Sequence, residues 1–490
     1  VAALMVVGTS SHAGKSLLVT ALGRLFYRRG VKVAPFKGQN MALNAYVTAE
    51  GHEIGHAQAV QAWACGLEPS VAMNPILLKP QGNMTSQVIL KGRPAGVCGA
   101  VDYYRDYFEP GWQAVVEALV ELQSQYELVI CEGAGSPAEV NLRHRDLTNM
   151  RVALHLGAPT LLVTDIDRGG ALAHVVGTLQ VLPSEERALI KGIVINKFRG
   201  SLALLQPGLD WLAQYTGVPV VGVLPWLEIA LPEEDSMGLF DRRGSRQQAQ
   251  LEIVVIRLPR IANFTDFDAL EAEPTVRVRY VSPDGQLGHP DAIILPGSKA
   301  TIADLLTLEA SGMAAQIRAY PGVILGICGG LQMLGRTIDD PEGFEGRPGR
   351  YLGLGLIKAT TVFDSLKTTR QVQVESRLPA GESVVGYEIH QGQTAFDPTL
   401  EALFADPQLG VVSSNRRVWG TYLHGLLDNH AWRRHWLNTL RERRGLPPLP
   451  MLSGHYREQR EEMFERLADA WEPHLPIDGF AQLAGFASQV

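Results

Sequence analysis

Residues 322–335 read Gly-Val-Ile-Leu-Gly-Ile-Cys-Gly-Gly-Leu-Gln-Met-Leu-Gly, and three local signals follow one another along them. Val323, Ile324 and Leu325 are a short apolar run of the kind that makes a buried strand. Small residues on both sides of Cys328 let the backbone take a sharp, strained turn that lifts the sulfur clear. Leu331, Met333 and Leu334 then fall at helical spacing. Strand, turn and helix around a nucleophile make an elbow, and amides at the start of such a helix can hold an oxyanion. A lone cysteine in a Gly-rich turn is ordinarily a buried structural residue. Here, however, Leu423-His424-Gly425 closes another apolar strand downstream, and a cysteine with a distant histidine is the thiolate–imidazole pair of acyl-transfer chemistry. Cys328 and His424 are therefore the predicted catalytic residues.

The elbow resembles that of class I glutamine amidotransferases. This implies that Cys328 attacks the side-chain amide of glutamine and releases ammonia. Ile293 to Lys299 is a strand ending in a Pro-Gly-Ser-Lys turn, whose counterpart in those enzymes completes the oxyanion hole; Gly297 and Gly329 are the expected donors. Gly386 to Gly392 carries a second histidine, His390, expected either to line the pocket or to be a buried, hydrogen-bonded residue. The chain departs from the family's pattern at one point: Leu426 stands where a Glu usually follows the histidine by two residues. The expectation is a Cys–His dyad, with Asp428 and Glu388 as weak substitutes for a third carboxylate.

Ammonia needs an activated acceptor, and the N-terminal half offers one. Ala2 to Val7 is a continuous apolar strand, followed by Gly8-Thr9-Ser10-Ser11-His12-Ala13-Gly14-Lys15-Ser16 and a helical pattern. This is a phosphate-binding loop in its proper setting. Its amides cradle phosphates, Lys15 neutralises them and Ser16 offers a hydroxyl to Mg2+. With five residues between its glycines the loop resembles that of dethiobiotin synthetase and its relatives. Gly8, Gly14, Lys15 and Ser16 are the expected ATP ligands. Lys37, Gln39, Asn40 and Asn44, after the next apolar run, are candidates for the phosphate and carboxylate site, a polar surface loop being the alternative; the polar Lys79 to Gln87 is read similarly. Glu132 ends the strand Leu128 to Cys131 and is placed to hold Mg2+. Asp165 or Asp167, ending Thr160 to Thr164, can share the metal, with helix capping as the alternative. Asn196 resembles the strand-end Asn that reads the base edge in this nucleotide-binding family.

The chain of 490 residues suits two to four domains, and 44 basic against 51 acidic residues, a net charge of -7, gives no support to nucleic acid or an anionic membrane as partner. Four dispersed cysteines, no membrane-length apolar run and no signal-peptide pattern predict a reduced, cytoplasmic protein. The expected fold is α/β in two domains. Residues 1–237 form a doubly wound, mostly parallel P-loop sheet, 238–250 a polar linker, 251–450 an amidotransferase-like α/β domain, and 451–490 a helical extension. Trp432 to Arg444 and His455 to Trp471 are helical by period, the latter with an apolar face of Met463, Phe464, Leu467 and Ala468, and both are expected to pack on the amidotransferase domain.

The stretches Gly8 to Ser16, Lys37 to Ala45, Asn263 to Asp268 (NFTDFD), Leu295 to Thr301, Gly326 to Gly335 and Gly386 to Gly392 resemble the cobyric acid synthases over essentially the whole chain. The resemblance implies ATP- and glutamine-dependent amidation of the b, d, e and g carboxylates of adenosylcobyrinic acid a,c-diamide, a step of cobalamin biosynthesis. It implies ATP, Mg2+, glutamine and a corrinoid as ligands, with no tightly bound prosthetic group, and it is compatible with a homo-oligomer. Two alternatives stand beside it: cobyrinic acid a,c-diamide synthase, and a nucleotide-binding switch with a vestigial amidotransferase domain.

Overall fold

The Ala2–Gly8 strand is apolar almost throughout, which suits a strand covered on both faces. In the computed structural model, which describes residues 2–82, 84–227, 249–451 and 455–485, it lies inside a six-stranded sheet. The order is Val220–Pro225, Ile190–Phe198, Thr160–Asp165, Ala2–Gly8, Leu128–Glu132, Val33–Phe36, and every pairing is parallel. Ala3, Met5 and Val7 enter one apolar core and Leu4 and Val6 the other, as the period of two requires. Because the central three strands are parallel neighbours, the phosphate loop, Glu132 and Asp165 all emerge at the same carboxyl edge. At Gly14 (φ 100°) a Cβ would lie 1.9 Å from the Asn196 amide, so only glycine fits where the loop enters the Lys15–Arg28 helix.

A second sheet runs Val276–Val281, Leu251–Ile256, Ala292–Leu295, Val323–Ile327, Val418–Thr421, Gly410–Val412, Glu401–Ala402; the first five strands are parallel and the last two antiparallel. Val323–Ile327 lies between the strand that leads to Gly297 and the strand that leads to His424. The elbow forms as predicted: Cys328 sits at φ 53°, ψ -111°, and the Gly329–Leu334 helix follows. Gly330 is indispensable to it, since a Cβ there would meet the Leu295 carbonyl at 2.0 Å.

Two features were not read from the sequence. A small sheet of Gln39–Met41, Ile76–Gly82, Thr85–Leu90 and Arg93–Gly99 flanks the first half, and a long antiparallel hairpin, Ala359–Arg377 with Ala380–Phe396, reaches out of the second. The hairpin bonds to the first half through Gln371 Nε2 to the Val47 carbonyl (3.0 Å) and Thr369 Oγ1 to the Gly51 carbonyl (2.8 Å). The predicted linker lies outside the described residues except for Ala249 and Gln250.

The C-terminal helices require a correction. His430–Arg443 does pack on the amidotransferase half, with Trp432, Trp436, Leu437 and Leu440 in its core. Tyr456–Trp471 touches that half only at its first turns and buries its apolar face elsewhere. Its Leu467, Ala468 and Trp471, with Ile477 and Phe480 beyond, share the core of the first sheet with Leu18, Leu22 and Val194. Arg24, Arg28 and Arg29 on the phosphate-loop helix pair with Glu465 (2.6 Å), Asp469 (2.7 Å) and Asp478 (2.5 Å). The more exposed Arg28 and Arg29 pairs contribute about 0–1 kcal/mol each, whereas each large apolar side chain buried on this face contributes roughly 1.5–3 kcal/mol; the Arg24 guanidinium is buried against the helix it pairs with. Apolar burial therefore fixes the docking. An amphipathic period locates the buried face of a helix without saying which of two cores it covers.

Candidate active site

His424 follows the Val418–Thr421 strand and is 2% exposed, with its ring stacked on Tyr387. Its Nδ1 lies 2.7 Å from Asp266 Oδ2, and the other carboxylate oxygen accepts the Gly425 amide at 2.8 Å. Asp266 is itself buried, in the short turn Phe264–Phe267 within the NFTDFD stretch. The expectation of a dyad is thus overturned. The histidine has an orienting carboxylate, supplied 158 residues upstream rather than two downstream. Neither weak substitute serves: Glu388 pairs with Arg370 and with His390, and Asp428 faces Arg460 at 3.9 Å.

Burial lowers the basicity of His424, but the Asp266 carboxylate and a hydrogen bond with Cys328 outweigh it and hold the imidazole up to about 10. The protonated ring is thus favoured beside the nucleophile's sulfur, an arrangement that suits a Cys–His nucleophile pair. Cys328 is 8% exposed and opens into a pocket also lined by Gly297, Lys299, Gln332 and His390. His390 both lines this pocket and is buried and bonded: Nδ1 meets the Gly392 carbonyl, Nε2 meets Glu388, and the ring stacks on Tyr422 at 3.8 Å. Gly329 and the Gly297–Ser298 turn lie side by side, a Cβ on Gly329 being 3.0 Å from the Ser298 amide.

At the nucleotide edge, Lys15 Nζ donates to the carbonyls of Ser10 (3.0 Å) and Gly135 (2.9 Å), which folds its ammonium over the loop. Glu132 is the hub. Ser16 Oγ donates to its Oε1 at 2.8 Å, Lys37 Nζ pairs with the same oxygen at 3.0 Å, and Gln61 Nε2 donates to Oε2. Asp165 is drawn instead to Lys197, at 2.7 Å. Asn196 lies against the phosphate loop, Nδ2 donating to the Ala13 carbonyl and Oδ1 accepting the Lys197 amide.

Of the four polar candidates after the second strand, Lys37 is at this site. Gln39 accepts from Tyr103, and Asn40 donates to Gln58 at 2.9 Å. Asn44 is a correction: its Oδ1 accepts the Phe264 amide of the other half at 3.0 Å, while Asn263 Oδ1 accepts the Ala45 amide at 3.1 Å. It belongs to a reciprocal bolt between the halves that positions the turn carrying Asp266. Sequence reasoning missed Asp266, Gln61 and Gln58. The only available signal for Asp266 was an acid set between two phenylalanines, in a stretch already singled out.

Two family models match the chain: a CobQ/CobB/MinD/ParA nucleotide binding domain over residues 4–237 and a CobB/CobQ-like glutamine amidotransferase domain over residues 252–432. The chain is 94% identical over 489 residues to a cobyric acid synthase from Gloeobacter violaceus, with 100% of both chains covered. It is 62% identical to that of Synechococcus sp. strain JA-2-3B'a(2-13), covering 97% of this chain and 98% of the relative, and 63% identical to that of strain JA-3-3Ab, covering 96% and 97%.

Proposed function

This chain belongs to the cobyric acid synthase family, glutamine-hydrolysing and ATP-dependent amide ligases of cobalamin biosynthesis, and we propose that it divides the reaction between a Cys328–His424–Asp266 glutaminase centre and a Gly8–Ser16/Glu132 synthetase centre. Its acceptors are the b, d, e and g carboxylates of adenosylcobyrinic acid a,c-diamide. The observation that carries the assignment is the buried Asp266–His424 contact behind Cys328.

In the glutaminase centre the Cys328 thiolate attacks the side-chain carbonyl carbon of glutamine. The oxyanion takes hydrogen bonds from the amides at Gly329 and the Gly297 turn, and the leaving nitrogen collects the proton held on His424 Nε2. Ammonia departs, and water drawn to the same imidazole opens the thioester to glutamate. Asp266 fixes the tautomer throughout.

In the synthetase centre a corrinoid carboxylate oxygen attacks the γ-phosphorus of ATP, giving ADP and an acyl phosphate. Ammonia attacks the acyl carbon and inorganic phosphate leaves. Lys15 and Lys37 are the cations for the transferring group. Ser16 and Glu132, two oxygen donors in contact beside the loop, fit Mg2+. Bound there, Mg2+ neutralises charge on the phosphates. Glutamine labelled with 15N in its amide, supplied with ATP and the a,c-diamide, tests the reading: the product must carry the label at four new amides, and failure to label in folded protein refutes it.

A further inference from the structure

The Lys79 to Gln87 stretch, which the synthetase chemistry leaves unused, sends its first residue into the other centre. Lys79, on the Ile76–Gly82 strand of the nucleotide-binding half, lines the pocket that holds Cys328 and His424. Its ammonium is 2.9 Å from Glu53 Oε2, and Glu53 Oε1 pairs with Lys367 from the long hairpin of the other half. The Lys79 and Glu53 side chains are 5% and 0% exposed, so this is a bridge sunk between the halves rather than a surface pair. Burial opposes ionisation of Glu53, but Lys367 and Lys79 outweigh it and hold the carboxyl down to about 2.

The charges at the Glu53 wall of the pocket do not balance. Lys79, Lys299 and Lys367 face it, and the acids that answer them are Glu53 and Glu345. Glu53 is shared by two buried ammonium groups, Lys79 and Lys367, so at that wall of the pocket one cation has no carboxylate of its own, and a buried charge without a full partner is expensive. Burial and the Lys367 and Lys79 ammonium groups push Lys299 downward, as expected where cations crowd without enough anions. A ligand that brings an anion relieves this, and glutamine brings one: when its amide is at Cys328, its α-carboxylate lies a side-chain length away inside the same pocket.

Resting on the glutaminase assignment above, we infer that Lys79 of the nucleotide-binding half, held by Glu53 together with Lys367, is the receptor for the α-carboxylate of glutamine, so that the glutaminase site is completed across the domain boundary. The occupant is an α-amino acid carboxylate, and Lys79 acts on binding rather than on the bond that breaks. The amidotransferase half alone lacks one wall of its own substrate site.

The test is made on the full chain. Wild-type enzyme and Lys79→Met are each given glutamine or glutamine α-amide, in which the carboxylate becomes a neutral carboxamide, and ammonia-dependent amidation is run alongside. The wild type is expected to prefer glutamine in kcat/KM. Lys79→Met should raise KM for glutamine by about ten- to a hundredfold, the range for a lost hydrogen bond to a charged group, leave kcat nearly unchanged, and lose the preference. An unchanged preference in a variant that still amidates with ammonia overturns the inference. If Lys79→Met fails to fold, Lys367→Met is read on the same ratio, and an unchanged ratio there overturns it equally. A wild type that cannot amidate with either nitrogen source refutes the functional assignment instead, so the two failures are distinguishable.

Discussion

Replacing Asp266 by Asn leaves the volume of the side chain intact and removes its charge. Oδ1 can still accept the Gly425 amide, which lies 2.8 Å from the carboxylate. The other end then presents an NH2 group to His424 Nδ1, 2.7 Å away in the wild type, and two donors face each other unless the imidazole moves its proton to Nε2. That is the nitrogen Cys328 needs as an acceptor. His424 is held up to about 10 from an ordinary 6.5 against burial, which alone would lower it. Loss of the carboxylate removes the largest favourable influence on the imidazolium, and a histidine held in the wrong tautomer costs such a triad on the order of a hundredfold or more in rate. Glutamine-dependent kcat/KM should therefore fall at least about a hundredfold, with ammonia-dependent amidation unchanged. The pH dependence of stability gives a second reading. A histidine raised on folding contributes stability that is full below about pH 6.5 and is lost as pH rises toward about 10, so wild-type unfolding free energy should decline across that window. Asp266→Asn should flatten the decline. A loss of glutaminase smaller than about tenfold in a folded variant refutes the triad and restores the dyad.

Cys328→Ala should abolish glutamine use and spare amidation with added ammonia; equal loss of both in a folded variant would refute the division of labour. Lys15→Ala should remove synthesis with either nitrogen source, because the transferring phosphoryl group loses its cation; ammonia-dependent synthesis near the wild-type rate would count against it. Asp428→Asn and Glu388→Gln should each change glutaminase less than about tenfold, or roughly 1.4 kcal/mol, since these acids answer Arg460 and Arg370 rather than His424. Trp471→Ala, emptying a fully buried site between the C-terminal helix and the first sheet, should lower stability by about 3–5 kcal/mol in denaturant titration.

What could be read in advance was local. Gly8 to Ser16 and Gly326 to Gly330 announce themselves because the backbone they need is written in adjacent residues. The strands beside them are apolar at nearly every position because both faces are covered. Asp266 was quoted within NFTDFD yet given no task. Its partner is 158 residues away, and the place searched was the two residues after His424, where Leu426 is simply buried core. Asn44 looked like a ligand because polar residues after a strand of an open α/β sheet usually are. It became a bolt because a second domain covers that position. Lys79 and Glu53 have no legible purpose until the hairpin bearing Lys367 is folded over them. Asn44, Lys79 and Glu53 make their contacts across the domain boundary and Asp266 makes its own at long range within one half, and periodicity and spacing carry no signal for either.

The return of residues 456–485 to the first sheet sets a schedule for the chain's synthesis. A ribosome makes the phosphate loop hundreds of residues before the helix that covers the face behind it. Until Leu467, Trp471 and Phe480 arrive, the first half must wait with Leu18, Leu22 and Val194 unprotected, a stage at which exposed apolar surface invites association with other nascent chains. The amidotransferase core can close in the interval, since all of it has been translated by then. The helices within 456–485 therefore complete a core that the phosphate-loop segment began. Splitting the gene between the two halves would leave the upstream product without its cover, whereas a circular permutant opened between 227 and 249, with residue 485 joined to residue 2 by a spacer, would keep each core in one continuous run of chain.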